Sequence, residues 1–143
     1  VKASDERKTP KVIYERLNGI FTFNLDPCTT ADNPLCCDRF FTAEDDGLVQ
    51  PWNRTDGTLS RAFANPPYSL MRQFAIKAIQ EAMAGCFVAF ILPNDCSTRA
   101  FKLLAAHAWG RWEIPFRVKF ETPEGKKVDV ARSHVVFFLG GLP

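Results

Sequence analysis

The chain has 143 residues, 46% of them hydrophobic and 24% charged, with a formal net charge of +2. That length suits one domain and is too short for two self-sufficient cores. Thirteen Phe and three Trp supply ample apolar area, which excludes a disordered chain. No apolar run approaches the ~20 residues that cross a bilayer, and a net charge of +2 does not by itself announce a nucleic-acid binder.

The first eight residues, Val1 to Lys8, are charged and lack the apolar stretch of an export signal. Five cysteines (Cys28, Cys36, Cys37, Cys86 and Cys96) make an odd count. Together these predict a reducing cytoplasm. The adjacent Cys36-Cys37 pair is not zinc spacing, and with only two His no metal site is expected.

In chain order, Thr9-Pro10 ahead of Val12, Ile13, Leu17 and Ile20 predicts an amphipathic helix, with Thr9 as N-cap and Asn18-Gly19 as stop. Residues 21–25 alternate like a strand that ends at Asp26-Pro27. From Pro27 to Ser60 the sequence is loop-like, and loops of that length in compact domains are usually functional. Arg61 to Ala64 is a short buried strand, and Met71 to Met83 is the clearest helix, with Phe74, Ala78 and Ile79 on its apolar side. Cys86 to Leu92 is a continuous apolar strand covered on both faces. Ser97 or Thr98 caps a helix through Ala108. Strands follow at 112–115 and 117–121, then a turn over 122–127 and a last apolar strand over 133–139. The 117–139 unit reads as an antiparallel hairpin at one edge of the sheet.

Alternating strands and helices predict an α/β fold with a mainly parallel sheet. Ligands in such sheets bind beyond the carboxyl ends of the strands. Three polar, proline-containing junctions fall there: Asp26-Pro27-Cys28, Asn65-Pro66-Pro67-Tyr68 and Pro93-Asn94-Asp95.

The second junction carries the most chemistry. Two prolines fix two φ angles and remove two N–H donors, and each residue preceding a proline is driven out of the helical region. The product is a stiff corner rich in carbonyl acceptors. Asn65 adds a side-chain carbonyl and Tyr68 a flat aromatic face. Paired acceptors beside a stacking surface suit a planar group bearing an NH2. Accepting both its protons draws the nitrogen lone pair out of conjugation, toward attack on an electrophilic methyl. The same tetrapeptide is also compatible with a rigid turn and a core Tyr.

Asn65-Pro66-Pro67-Tyr68 resembles the catalytic motif of S-adenosylmethionine-dependent amino-methyltransferases. Several stretches in order widen the likeness: Thr9-Pro10, Leu25-Asp26-Pro27-Cys28, Glu44-Asp45-Asp46-Gly47-Leu48 with Trp52, the tetrapeptide, and Leu92-Pro93 ahead of Ser97-Thr98-Arg99. This string resembles the phage-type Dam family of DNA N6-adenine methyltransferases over residues 9–139. The resemblance implies a compact Rossmann-like methyltransferase domain over 1–143, abbreviated after the first strand, where the usual Gly-x-Gly turn is missing; in a departure of size, no separate target-recognition domain is expected. It implies S-adenosylmethionine as cofactor and DNA as partner.

By the same resemblance, Asn65 and the Pro66 carbonyl accept the two amine protons of a flipped-out adenine, Pro67 stiffens the corner and Tyr68 stacks on the base. Thr9, Pro10, Asp26, Pro27 and Cys28 surround the methionine end of the cofactor, with Asp26 near its amine. Asp45 and Asp46 are both candidates for its ribose hydroxyls and its adenine; Asp45 falls near the ~20-residue offset from Asp26 usual for a ribose-binding acid. Arg99, Arg117, Lys119, Lys126 and Lys127, with Arg132, are candidates for DNA phosphates. Phe63, Phe90 and Tyr68 are candidates for an apolar pocket lining, and Trp109 and Trp112 read as core. His107 reads as a helix C-cap or core residue and His134 as structure; neither is assigned a catalytic role. Two alternatives stay open: transfer to another planar amino group (cytosine N4, RNA guanine or protein glutamine), and a non-catalytic nucleic-acid-binding domain of the same fold.

Overall fold

The structure is a computed structural model that describes residues 8–35, 37–121, 127–129 and 133–141. Among the described residues, three α-helices and eight strands follow one another as α1 (Lys11–Phe21), β1 (Leu25–Asp26), β2 (Arg39–Phe40), β3 (Arg61–Ala64), α2 (Met71–Met83), β4 (Phe87–Pro93), α3 (Arg99–His107), β5 (Gly110–Glu113), β6 (Lys119–Glu121), β7 (Lys127–Asp129) and β8 (His134–Leu139). Six strands form one mixed sheet in the order β2-β1-β3-β4-β8-β5, in which β2, β1, β3 and β4 run parallel.

The alternation within β4 explains the layering. Phe87, Ala89 and Ile91 point to one face of the sheet, where Ile13, Tyr14 and Leu17 of α1 cover them. Val88, Phe90 and Leu92 point to the other, against Phe74, Ala78 and Ile79 of α2 and Phe101 and Leu104 of α3. A strand buried on both sides needs cover on both, so the continuous apolar run 86–92 requires helices on each face.

Two expectations are corrected. Asn18-Gly19 does not end α1, which continues to Phe21 and stops where Thr22 turns left-handed at φ 54°. The reason is tertiary: Phe21 packs against Phe87 and Phe138, with centroids 4.7 and 5.3 Å away, and that burial outweighs the local stop signal. Extending the helix in turn shortens the following strand, which starts at Leu25 rather than at residue 21.

The C-terminal unit is not one edge hairpin. β6 and β7 pair antiparallel as a separate two-stranded sheet. β8 instead lies inside the main sheet, antiparallel to both β4 and β5, and β5 is the edge. The composition of β8 dictates this: all six of its residues are buried, with Val135, Phe137 and Leu139 facing one core and Val136 and Phe138 the other. An edge position would leave such a strand half uncovered. The predicted turn over 122–127 falls, but for Lys127, outside the described residues.

The loop-like stretch 27–60 contains β2, too short to carry a periodicity. Thr98 caps α3, its Oγ1 accepting from the Phe101 amide at 3.3 Å, and the exposed His107 meets the Leu103 carbonyl at the other end.

Candidate active site

The parallel order of β1, β3 and β4 brings Asp26, Asn65 and Pro93 to one edge of the sheet. Asp26 ends β1 and is only 5% exposed. Its Oδ1 accepts from the Cys28 amide at 3.3 Å. Burial pushes its carboxyl up from 3.8 to about 7, against the hydrogen bonds from Cys28 and Thr29, which favour the charged form. The Cys28 thiol is pushed well up in turn, by burial and by the neighbouring Asp26.

The long loop is fastened to this turn at several points. The Phe41 amide donates to the Asp26 carbonyl and the Thr29 amide to the Phe41 carbonyl, each at 2.9 Å. Arg39 donates to the carbonyls of Pro51 and Trp52 at 2.6 and 3.0 Å. Glu81 of α2 accepts from the amides of Trp52 and Asn53 at 2.8 and 3.1 Å. Trp52 is fully buried and its indole donates to the Gly47 carbonyl at 2.9 Å. Nothing in the loop's composition announces these ties; the one available signal is a large aromatic residue in an otherwise polar stretch.

Between this loop and the sheet lies a cavity of about 320 Å³, within the ~300–1,000 Å³ range of small-molecule sites. Of the predicted residues, Thr9, Asp26, Pro27, Cys28, Asp46, Asn65 and Pro67 line it, and Pro10, Asp45, Pro66 and Tyr68 do not. Pro10 is the N-cap of α1, and Thr9 does not cap the helix. Asp45 is turned to local work: its Oδ2 accepts from the Thr42 amide at 2.9 Å and the Thr42 hydroxyl at 3.1 Å. Asp46, at φ 61°, also bonds locally, its Oδ1 accepting from the Leu48 amide at 3.0 Å, and is the acid of the pair that lines the cavity.

Phe63 and Phe90 are fully buried in the two cores and do not line this cavity. Successive residues of a strand point to opposite faces of the sheet, which takes both rings away from its carboxyl edge. The apolar wall comes instead from Leu35, Leu48, Leu70 and Phe74. Helical periodicity places Phe74 on the buried side of α2; nothing in it distinguishes cavity from core.

The corner at 65–68 stands at this cavity's rim. Pro66 is buried, and the chain enters a 3-10 turn over Tyr68–Leu70, closed by the Leu70 amide on the Pro67 carbonyl at 3.0 Å. The Asn65 Nδ2 donates to the Thr9 hydroxyl at 3.0 Å. Tyr68 lines a second depression of about 560 Å³, together with Arg72, Leu92, Pro93, Asp95 and Arg99. One proline-stiffened corner thus contributes to two hollows, Asn65 to the first and Tyr68 to the second.

The remaining basic candidates lie elsewhere. Arg117 and Lys119 are exposed and line neither hollow, and Lys127 lies on β7 in register with Glu121. Lys126 and Arg132 fall outside the described residues. Trp112 is partly buried against the α1-side core, whereas Trp109, expected in the core, is 49% exposed. Its ring lies on Phe138 while its indole donates to the Gly140 carbonyl at 3.1 Å. Its polar end thereby holds it at the surface. Buried His134 packs on Phe120.

The lining fits S-adenosylmethionine. The wall mixes polar groups (Lys8, Thr29, Thr30 and Thr42 among them) with apolar ones, and the buried Asp26 carboxyl is costly to charge unless a cation meets it; the amino group of a methionine moiety is such a cation. The apolar wall accepts the rest of that chain, and Asp46 offers acceptors for hydroxyls or an amine. Among the described residues no group of three or more His, Cys, Asp or Glu forms a metal site, and no helix is long and apolar enough to cross a membrane.

Fold and site together define an α/β domain with a ligand cavity at the carboxyl edge of a mostly parallel sheet. The family model for DNA N-6-adenine-methyltransferase (Dam) matches residues 1–138, and the chain belongs to that family. It is 38% identical over 69 residues to the Escherichia coli (strain K12) protein "Putative methyltransferase YfdM", a match covering 47% of this chain and 75% of that one. It is 29% identical over 94 residues to the DNA N-6-adenine-methyltransferase of Escherichia phage T1, covering 65% of this chain and 37% of the phage protein. The matched part is thus well under half of the phage enzyme.

Proposed function

We propose that the chain moves a methyl group from S-adenosylmethionine to the exocyclic N6 of an adenine in DNA, with that base turned out of the duplex. The observation that carries this reading is the corner itself, with Asn65 facing a cavity that holds buried Asp26, and Tyr68 facing a depression rimmed by Arg72 and Arg99. Family membership and the two methyltransferase relatives support it. So does the strand order, with its single reversed strand beside the edge, which we read as Rossmann-like.

In this mechanism the cofactor would supply an electrophilic methyl on a sulfonium: as the bond from N6 to the methyl carbon forms, the S–C bond breaks, the neutral thioether leaves and one N6 proton passes to solvent. The chain supplies position and electrostatics. Asp26 holds the cofactor's amino group, and Asp46 takes its polar nucleoside end. Leu48, Leu70 and Phe74 keep the space between dry, which favours a reaction that disperses charge. The Asn65 Oδ1 and the Pro66 carbonyl accept the two N–H bonds of the adenine amine and so raise its nucleophilicity. Tyr68 stacks on the extruded base, offsetting part of the few kcal/mol that extrusion costs. Arg99 meets a flanking phosphate, and Arg117, Lys119, Lys126 and Lys127 add phosphate contacts further along the duplex. We read residues 1–143 as one methyltransferase domain. A cytoplasmic setting follows from this substrate.

The test is transfer of labelled methyl into DNA, RNA and protein offered in parallel, followed by mapping of the modified base. Label on N6 of adenine in DNA is the expected result. Label on cytosine, in RNA or in protein alone would replace adenine with another planar amine. Cofactor binding without any transfer would leave a binding domain.

A further inference from the structure

The contact that joins the N-terminal segment to the corner is between side chains. The Asn65 Nδ2 donates to the Thr9 Oγ1 at 3.0 Å across 56 positions of chain, and both residues line the cavity. Thr9 leaves the N-cap position of α1 to Pro10 and makes no side-chain cap to the helix. A threonine before a proline at a helix start normally spends its hydroxyl on the helix's own amides. Here the hydroxyl meets Asn65 instead.

We infer that Thr9 is a positioning residue that sets the orientation of the Asn65 amide, a role resting on the proposed adenine-methyltransferase reading. The two ends of a primary amide are nearly equal in size and opposite in hydrogen-bonding sense. An adenine amine offers two donors. It is met productively only by Oδ1; an amide rotated by 180° would present donors to donors. The Thr9 hydroxyl, which can donate as well as accept, here accepts from Nδ2, and Oδ1 is thereby directed the other way. The amide is therefore held in the productive sense before the base arrives, and the ordering cost is met in the folded protein rather than in the transition state. Pro66 and Pro67 fix the backbone of the corner; Thr9 fixes the side chain they leave able to turn.

This separates two roles for Thr9. If the hydroxyl served the cofactor, its loss would weaken cofactor affinity. If it orients Asn65, its loss lowers the rate of transfer and leaves affinity alone. The test uses Thr9→Val, which keeps shape and removes the hydroxyl, with Thr9→Ala as a second variant should valine disturb folding. Single-turnover transfer to adenine-containing duplex DNA is expected to slow by about 10- to 100-fold. The Kd for S-adenosylmethionine by calorimetry should stay within about threefold, since the lost interaction acts on the rate alone. Thr9→Ser, which restores the acceptor, should recover most of the rate. In an Asn65→Asp background the Thr9→Val change should cost little, because a carboxylate has two equivalent oxygens and no orientation to hold; the pair is then non-additive.

Loss of affinity with an unchanged rate, failure of serine to rescue, or the same loss in the Asn65→Asp background would each overturn this assignment while leaving the methyltransferase reading standing. Absence of transfer to adenine by the unmodified protein would overturn the reading, and this role with it.

Discussion

Gly47 lies so close to Pro27 that a methyl group on its Cα would fall 1.9 Å from the Pro27 carbonyl oxygen. The same methyl would stand 3.2 Å from the Phe74 ring. The loop and the turn after β1 are therefore in backbone contact, and only a residue without a side chain permits it. Asp46 and Leu48, on either side of Gly47, reach the cavity because of that approach.

Gly47→Ala should force the loop off the turn. The expected cost is about 1–3 kcal/mol, as for other overpacked sites, read as a lower urea midpoint. S-adenosylmethionine affinity should fall with it, because the wall bearing Asp46 and Leu48 withdraws. Unchanged affinity in a destabilised variant would show that this wall takes no part in binding.

Asp26 sets a pH dependence with a definite sign. Its folded value of about 7 lies above its ordinary 3.8, so the folded state holds a proton that the unfolded chain has released. Stability therefore falls as pH rises through the window from about 4 to about 7, and the full penalty is present above it. Each pH unit between the two values is worth about 1.36 kcal/mol, so Asp26→Asn should be the more stable protein at pH 8 by up to about 4 kcal/mol. Thermal unfolding of both proteins from pH 4 to 8 measures this, with the difference vanishing at the acid end.

The same carboxyl gives opposite predictions for binding. The amino group of S-adenosylmethionine needs the charged form of Asp26, so affinity should weaken by up to about tenfold per pH unit below 7. Asp26→Asn should bind weakly and lose this dependence. Calorimetric titrations at pH 6 and 8 would decide the point; a pH-independent Kd in the unmodified protein would remove Asp26 from the cofactor's amino group.

Asn65→Ala removes a side-chain acceptor from the cavity and with it the bond to the Thr9 hydroxyl. Transfer should drop by about 10²–10³-fold or more, the scale for loss of one preorganised hydrogen-bonding group in a transition state. Cofactor affinity should be nearly unaltered. A variant with full activity would take the amine-acceptor role away from this residue.

Arg99 lines the depression beside Tyr68, away from the Asp26 cavity. Arg99→Ala should weaken DNA binding about equally across sequences and reduce the magnitude of the log–log salt slope by about 0.9, the value for one phosphate contact. A slope that stays the same, measured by fluorescence anisotropy over a salt series, would place Arg99 off the backbone.

The sequence makes the site's location legible because its signals are local and steric. Pro66 and Pro67 stiffen a corner wherever they occur, and the apolar run ending at Leu92 marks a strand whatever surrounds it. What the sequence hides depends on contacts made at a distance. Phe21 sits beyond a helix stop and stays helical because Phe87 and Phe138 receive it. Asp45 and Asp46 are alike in sequence and both accept local hydrogen bonds, and only the fold brings Asp46 to the cavity. Phe63 and Phe90 read as pocket walls by their nearness to the corner, yet strand alternation turns them into the cores. Thr9 reads as a helix cap on every local criterion, and Asn65 claims its hydroxyl.

The reversed strand β8 has a bearing on biogenesis. It is the last of the described strands and yet fills an interior slot, with β4 on one flank and β5 on the other. While the ribosome is still making it, β4 presents a bare, flat, wholly apolar border of the kind that recruits foreign strands. Premature termination before His134 should therefore yield aggregates rather than a smaller working protein, and nascent chains should depend most on holding factors just before synthesis of that segment ends.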